Sequence, residues 1–275
     1  MENSNHRRPR HRLIELTIIL AVIIFLAGVW FFGKHQPQIH SSSSNNTSAT
    51  AAPSEPHMQS SFNKKQYSIN DPSSLWVIVN KGRVLPSAYV PSNLVTPDVP
   101  LRLSASSSEM HVRADTAQAM QSMFAAGSAQ GIKLMLASGY RSYTEQVGLY
   151  NGYVANQGQA AADLSSARPG HSEHQTGLAA DVEPASRTCE VEQCFDATPE
   201  GQWLAANAYK YGFIIRYQKG QESLTGYEYE PWHIRYVGIA LAAQIKASGQ
   251  TLEQFFGLPA YADYSANSYQ LKSGS

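Results

Sequence analysis

Residues 172–181 read Ser-Glu-His-Gln-Thr-Gly-Leu-Ala-Ala-Asp, and residues 230–233 read Glu-Pro-Trp-His. Within them, His174, Asp181 and His233 offer two imidazoles and one carboxylate. A catalytic zinc ion usually takes three protein ligands and keeps a fourth position for water. Asp181 stands in an apolar run, where an ionised carboxylate is costly unless a cation pairs with it. We therefore predict that these three side chains bind one zinc ion.

Glu230 lies three residues before His233 and directly before Pro231. The residue before a proline favours an extended backbone, so this segment is not predicted to be helical. That geometry can place the Glu230 carboxylate beside His233 without making both of them ligands of one ion. A carboxylate next to water at the zinc ion is suited to act as general base and then as proton donor to the leaving amine.

Helices and short strands mix along the chain without a regular βαβ rhythm, which favours an α+β fold over a doubly wound sheet. Hydrophobic periodicity and turn residues set the predicted elements. Five helices are predicted. The first includes Val112 and Phe124 and ends at Gly127 or Gly131, the second spans 144–156, and the third begins at Pro199 with Thr198 as its cap. The fourth spans 238–247, and the fifth begins at a capping box at 251–254. The predicted strands lie at 132–137, 178–182, 213–217 and 233–237.

Residues 13–33 are apolar apart from Glu15 and Thr17. At about 21 residues and about 1.5 Å per residue, a helix here could cross a hydrocarbon core about 30 Å thick. Four arginines lie within residues 1–12, which predicts a cytoplasmic N-terminus. A cleavable signal peptide is the alternative. The run ends in bulky aromatics at 30–32, and no small-x-small cleavage site follows it closely. We therefore favour an uncleaved anchor, with the remainder of the chain outside the membrane.

The rest of the chain divides by composition. Residues 34–66 are rich in Ser, Asn and Pro, which predicts a flexible linker. Residues 67–258 are predicted to form the folded domain, and residues 259–275 a C-terminal tail. The full chain holds 21 basic and 21 acidic residues. This balance argues against a nucleic-acid partner, which would require a basic surface.

Cys189 and Cys194 are the two cysteines of the chain. They are too few for an all-cysteine zinc site. Outside the membrane a disulfide that closes a small loop is favoured over metal ligation. His111 and His171 are interpreted as ordinary packed or exposed residues, although His171 lies close enough to the metal segment to support it.

Singly these signals are weak, but together they form a pattern. Ser-x-His-x-x-Gly-x-Ala-x-Asp followed by Glu-x-Trp-His resembles the VanY-like D-alanyl-D-alanine carboxypeptidases, zinc peptidases of bacterial cell-wall metabolism. The resemblance includes further segments in the same order: Val79-Asn80-Lys81, Leu85-Pro86, Ser138-Gly139-Tyr140-Arg141-Ser142, Gln146, Tyr211-Gly212-Phe213 and Arg216-Tyr217. It implies a small α+β domain whose central antiparallel sheet, with flanking helices, surrounds a zinc site.

The resemblance also implies roles for individual residues. It assigns the zinc ion to His174, Asp181 and His233, and the general base to Glu230. It places Arg141 near the scissile carbonyl, where a guanidinium could stabilise the oxyanion or hold a substrate carboxylate. Four further residues match positions that would contact substrate or line the pocket: Ser172, Gln146, Tyr217 and Trp232. Core packing is an equal interpretation for Trp232, and support of the sheet is one for Arg216.

The function implied is that of a membrane-anchored zinc carboxypeptidase that removes the C-terminal D-alanine from peptidoglycan stem peptides. The residues leave open whether it cuts pentapeptides, a D,D-activity, or tetrapeptides, an L,D-activity. A peptidoglycan endopeptidase is less favoured, because Arg141 suggests recognition near a free carboxylate. A catalytically silent wall-binding or sensory module is the alternative from another class. Such a module would be expected to lack Glu230 or a zinc ligand, and neither is missing.

Overall fold

The computed structural model describes residues 62–274. The predicted cytoplasmic segment 1–12, the predicted anchor 13–33 and nearly all of the predicted linker 34–66 lie outside the described residues. Within the described part of the chain, no helix combines the length and the apolar character that crossing a membrane requires. The membrane anchor therefore stays a prediction from the sequence.

Strands of two to seven residues are spread along the described chain. In order they are β1 Arg83–Val84, β2 Leu94–Val95, β3 Val112–Arg113, β4 Leu134–Ser138, β5 Ala179–Pro184, β6 Phe213–Tyr217, β7 Glu230–Tyr236 and β8 Tyr269–Gln270. The four longest strands form one antiparallel sheet in the order β4-β5-β7-β6. The predicted α+β fold with a small antiparallel sheet is thereby confirmed.

The structure also has seven α-helices among residues 62–274. They are α1 Ala114–Ser128, α2 Tyr143–Gln157, α3 Gln159–Ser165, α4 Pro199–Asn207, α5 Glu222–Thr225, α6 Ile239–Ser248 and α7 Leu252–Phe256. The predicted cap of α4 is present, because the Thr198 side chain accepts a hydrogen bond from the backbone of Gly201. The capping box of α7 is also present, formed by Thr251 and Gln254.

The two faces of the sheet have different environments, because successive side chains of a strand point to opposite sides. One face packs against α1 and α4 in the main hydrophobic core, to which Val182 and Ile234 contribute. The alternate positions of the same strands place Asp181, His233 and Arg235 on the opposite face. The functional side chains therefore project from a sheet that a fully buried core supports from behind.

The C-terminal segment differs from its predicted description as a tail. Strand β8 pairs in parallel with β1, and Leu271 is 1% exposed in a cluster with Val77 and Leu85. At the other end, Phe62 of the predicted linker stacks on Trp76. Isolated apolar residues such as Leu271 produce no hydrophobic period, so the sequence pattern could not indicate their burial.

Replacing Leu271 by alanine is expected to lower the free energy of unfolding by about 2–5 kcal/mol, the usual cost of truncating a buried leucine. The measurement is urea unfolding of the full-length protein followed by tryptophan fluorescence. Leu103→Ala is the matched control, since Leu103 is 45% exposed. Equal stability of the two variants would show that the C-terminal segment does not pack as the structure has it.

Candidate metal centre

His174 lies in a 3₁₀ turn that precedes β5. The Ser172 hydroxyl accepts a hydrogen bond from the His174 backbone, and Gly177 ends the turn with a left-handed backbone at φ 67°. The His174 Nδ1 lies 2.6 Å from the carbonyl oxygen of Gly139, which can only accept a hydrogen bond. Nδ1 therefore carries the proton, and the lone pair of Nε2 faces Asp181 Oδ2 at 3.4 Å.

Asp181 on β5 and His233 on β7 are direct cross-strand partners. His233 Nδ1 lies 3.3 Å from Asp181 Oδ1. With His174 these residues offer ligand atoms that all lie within 4.8 Å of one another, and all three are buried. The structure thus brings together the three side chains that the sequence predicts as zinc ligands.

The metal trio, which consists of His174, Asp181 and His233, fits a divalent cation by its chemistry as well as by its spacing. Asp181 Oδ1 is buried and has no hydrogen-bond partner among residues 62–274. Burial alone would raise the pKa of Asp181, but the neighbouring His174 and His233 hold it well below its usual range. An ionised carboxylate between two imidazoles is a common donor set for catalytic zinc.

Glu230 lies at the start of β7, next to the trio but outside it. Its Oε2 is 3.4 Å from His233 Nδ1. A register shift between Ile215 and Tyr217 lets Glu230 pair with Tyr217. Burial raises the pKa of Glu230 to about 8, although the charge of His233 opposes the shift. A cation bound nearby would lower that pKa again, which leaves a carboxyl group that can exchange a proton near neutral pH.

Arg141 follows β4 and is fixed by several contacts. Its Nη2 donates to Ser138 Oγ at 2.8 Å, and its Nη1 donates to Gln146 Oε1 at 3.1 Å. The Arg141 backbone N–H donates to the carbonyl oxygen of His174 at 3.3 Å. Its Nε is buried without a hydrogen-bond partner in the described part of the chain. Glu109 Oε1 lies 3.9 Å from that Nε, so the guanidinium is held beside the metal trio with a long ion pair and no hydrogen bond at Nε.

The remaining predicted substrate contacts have mixed placements. The Tyr217 ring lies 4.9 Å from the His233 ring, centroid to centroid. Ser172 and Gln146 are buried, and Gln146 Nε2 donates to the carbonyl oxygen of Ala167 at 2.7 Å. Trp232 packs against the main hydrophobic core, which favours ordinary core packing over its predicted place on the pocket wall. Direct substrate contact by these four side chains stays a prediction.

Glu173 is a functional candidate that the sequence reasoning did not single out. It is fully buried and accepts hydrogen bonds from Arg216 Nε at 2.9 Å and Arg235 Nη1 at 2.8 Å. Burial alone would raise the pKa of Glu173, yet the two guanidinium charges hold it well below its usual range. For Arg216, these contacts favour the supporting interpretation over substrate contact.

Two other sequence interpretations can be compared with the structure. His171 Nδ1 lies 2.7 Å from the carbonyl oxygen of Asn80 and its ring meets Tyr264 edge to face, so its described contacts are with the surrounding fold. Cys189 and Cys194 form a disulfide, as favoured from the sequence. The cysteines therefore supply no metal ligand.

The fold and the centre define a class of hydrolase. An antiparallel sheet and the 3₁₀ turn before β5 bring two imidazoles and one carboxylate together, with a second carboxylate and a guanidinium beside them. This donor set with an adjacent general base is typical of zinc peptidases.

Comparison with known proteins identifies the family. The model of the VanY family, described as D-alanyl-D-alanine carboxypeptidase, matches residues 109–239. The chain belongs to the VanY family of carboxypeptidases. It is 44% identical over 188 residues to the "Putative carboxypeptidase YodJ" of Bacillus subtilis (strain 168), a match that covers 68% of this chain and 69% of the relative.

Solved structures show the same relationship. The LdcB LD-carboxypeptidase is 44% identical with a TM-score of 0.65, over 68% of this chain and 87% of that one. A mutant of the vancomycin resistance D,D-pentapeptidase VanY, in complex with Zn(II), is 32% identical with a TM-score of 0.54, over 67% of this chain and 99% of that one. Homologues of both the L,D- and the D,D-type thus share this fold, and one of them binds zinc.

Proposed function

We propose that this protein is a zinc-dependent carboxypeptidase that removes the C-terminal D-alanine from peptidoglycan stem peptides. The observation that carries the proposal is the convergence of His174, Asp181 and His233, with Glu230 beside them. Family membership supports the reaction class, and the Zn(II) complex of a VanY homologue supports the choice of metal.

The side chains divide the chemistry among them. The metal trio would hold zinc, which when bound supplies a Lewis acid for the scissile carbonyl and lowers the pKa of water. Glu230 accepts the proton of the attacking water and returns it to the departing amine of D-alanine. Water supplies both the hydroxyl group and the proton that complete the products, so the reaction requires no covalent intermediate with the protein.

Arg141 explains why a carboxypeptidase is favoured over an endopeptidase. Its guanidinium is oriented by Ser138 and Gln146, while Nε makes no hydrogen bond and has only a 3.9 Å ion pair with Glu109 Oε1. A positive group with a fixed fork of donors suits the terminal carboxylate of a peptide, or the oxyanion that forms at its last bond. An internal bond of the cell wall presents no free carboxylate at that position.

The location outside the cytoplasmic membrane is part of the proposal. An anchor at residues 13–33 and a linker at 34–66 would place the catalytic domain on the outer side, where peptidoglycan lies. This rests on the apolar run and the arginines before it. Reaction with a membrane-impermeant label at a cysteine introduced in the linker of intact cells would test the orientation.

A tetrapeptide stem is the substrate that we favour. LdcB, named an LD-carboxypeptidase, is more similar to this chain than the D,D-pentapeptidase VanY, at 44% against 32% identity. We therefore expect faster release of D-alanine from the tetrapeptide than from the pentapeptide.

The test incubates the full-length protein, purified in detergent, with defined tri-, tetra- and pentapeptide stems, with and without a zinc chelator. Free D-alanine is measured. Release is expected from the tetrapeptide, should stop with the chelator and return with added zinc, and should be absent from the tripeptide, which has no terminal D-alanine. Binding of the stems without any release would instead support the silent wall-binding or sensory module.

A further inference from the structure

Glu173 contacts the metal centre through the far side of His233. Glu173 Oε2 lies 3.7 Å from His233 Nε2, and both atoms are buried without a hydrogen-bond partner among the described residues. The other ring nitrogen, Nδ1, faces Asp181 and Glu230. The imidazole therefore lies between Glu173 on its Nε2 side and both Asp181 and Glu230 on its Nδ1 side.

The position of Glu173 is itself fixed by buried charges. Its Oε1 accepts hydrogen bonds from Arg216 and Arg235, while Oε2 is left to face His233. Arg216 in turn forms a two-pronged pair with Glu253 of α7. Each of these side chains is at most 1% exposed. Because both arginines hold one oxygen of Glu173, the other oxygen has a defined direction.

We propose that Glu173 is a positioning residue that fixes the proton of His233 on Nε2. The lone pair of Nδ1 is thereby left free to bind the metal that His233 shares with His174 and Asp181. An ionised carboxylate can only accept a hydrogen bond, and such carboxylates face both ring nitrogens, Asp181 Oδ1 at 3.3 Å from Nδ1 and Glu173 Oε2 at 3.7 Å from Nε2. A cation held between Nδ1 and Asp181 would take the place of a proton there, so the proton of the imidazole is then the one on Nε2, directed at Glu173. In a neutral imidazole the other nitrogen then carries the lone pair that binds a metal. This inference rests on the zinc site of the proposed function.

The arrangement also has a purely structural explanation, in which Glu173 only neutralises Arg216 and Arg235. That explanation predicts no particular tautomer of His233. It also predicts that loss of either carboxylate in the network, Glu173 or Glu253, has the same kind of effect. The two explanations therefore differ in zinc affinity and in the position of one proton.

Glu173→Gln separates them in the full-length protein. The glutamine oxygen will face the two arginines, so its NH₂ group will face His233 Nε2 and require that nitrogen to accept. The proton then moves to Nδ1, on the side of the metal. Zinc affinity, measured by competition with a chelating dye, is expected to fall about 10- to 100-fold, the usual effect of losing such a partner.

Glu253→Gln is the matched control. It removes one negative charge from the same buried network but leaves Glu173 facing His233, so its zinc affinity should stay close to that of the wild type. A parallel loss of zinc affinity in both variants, or unchanged affinity in Glu173→Gln, would overturn the positioning role.

A second measurement does not depend on the folding of a variant. The ¹⁵N shifts of labelled histidines in the zinc-loaded wild-type protein, assigned with His233→Gln, should show His233 protonated at Nε2 and not at Nδ1. Protonation at Nδ1 would contradict the inference. If the wild type bound no zinc at all, the proposed function would fail. Although burial opposes it, Asp181 and Glu173 raise the pKa of metal-free His233 to about 9, so ¹⁵N shifts recorded above that pH would still show whether the proton stays on Nε2, as the role of Glu173 requires.

Discussion

Replacing Glu230 by glutamine is expected to lower kcat for D-alanine release by about 10²- to 10⁴-fold, the usual contribution of a positioned general base. Glutamine keeps the volume and the polar contacts of the side chain but cannot accept the proton of the attacking water. Zinc should stay bound, because Glu230 lies outside the trio whose ligand atoms converge. The measurements are steady-state kinetics on the favoured stem peptide and zinc content of the purified variant.

Glu228→Gln provides the control for Glu230→Gln. Glu228 is exposed and lies two residues earlier in the same segment, so the same chemical change there should leave kcat nearly unaltered. Near-normal turnover by Glu230→Gln, with its zinc in place, would remove Glu230 from the proposed reaction. Loss of zinc together with turnover would instead make Glu230 a ligand.

The metal trio could be predicted from the sequence because its weak local signals occur together in one pattern. His174 and Asp181 share one short segment, and the apolar residues around Asp181 make a lone carboxylate there costly. The sequence could not indicate that β5 and β7 are neighbours that place Asp181 opposite His233. That pairing depends on strand order, which periodicity does not encode.

Glu173 could not be assigned from the sequence for a related reason. It stands inside the motif, but its partners Arg216 and Arg235 lie 43 and 62 residues further along the chain. A buried charge is recognisable only when its neutralising partners are known. Trp232 shows that a residue adjacent to the site in sequence need not belong to the site in the structure. It lies next to His233 in the chain, and strand alternation turns it to the other face of the sheet.

Substituting Asp181 by asparagine is expected to abolish most of the stabilisation that zinc gives the protein. A ligand that binds only the folded state raises the free energy of unfolding by RT ln(1 + [L]/Kd), about 2.7 kcal/mol at a concentration of 100 Kd. If Kd rises a hundredfold in the variant, the same zinc concentration gives only about 0.4 kcal/mol. Asparagine keeps the shape of Asp181 but removes the one negative charge of the trio, so a loss of this order is the expected result.

The measurement is urea unfolding of wild type and variant, each with and without zinc, so that any change in intrinsic stability cancels within each pair. Glu183→Gln is the matched control: Glu183 lies two residues further on β5, is fully buried, and pairs with Arg102 at 3.4 Å instead of with the trio. Zinc should stabilise this control as much as the wild type. Because two neutral imidazoles alone cannot offset the charge of a divalent cation, equal stabilisation of Asp181→Asn would mean that zinc binds elsewhere. The proposed reaction would then lose its metal centre.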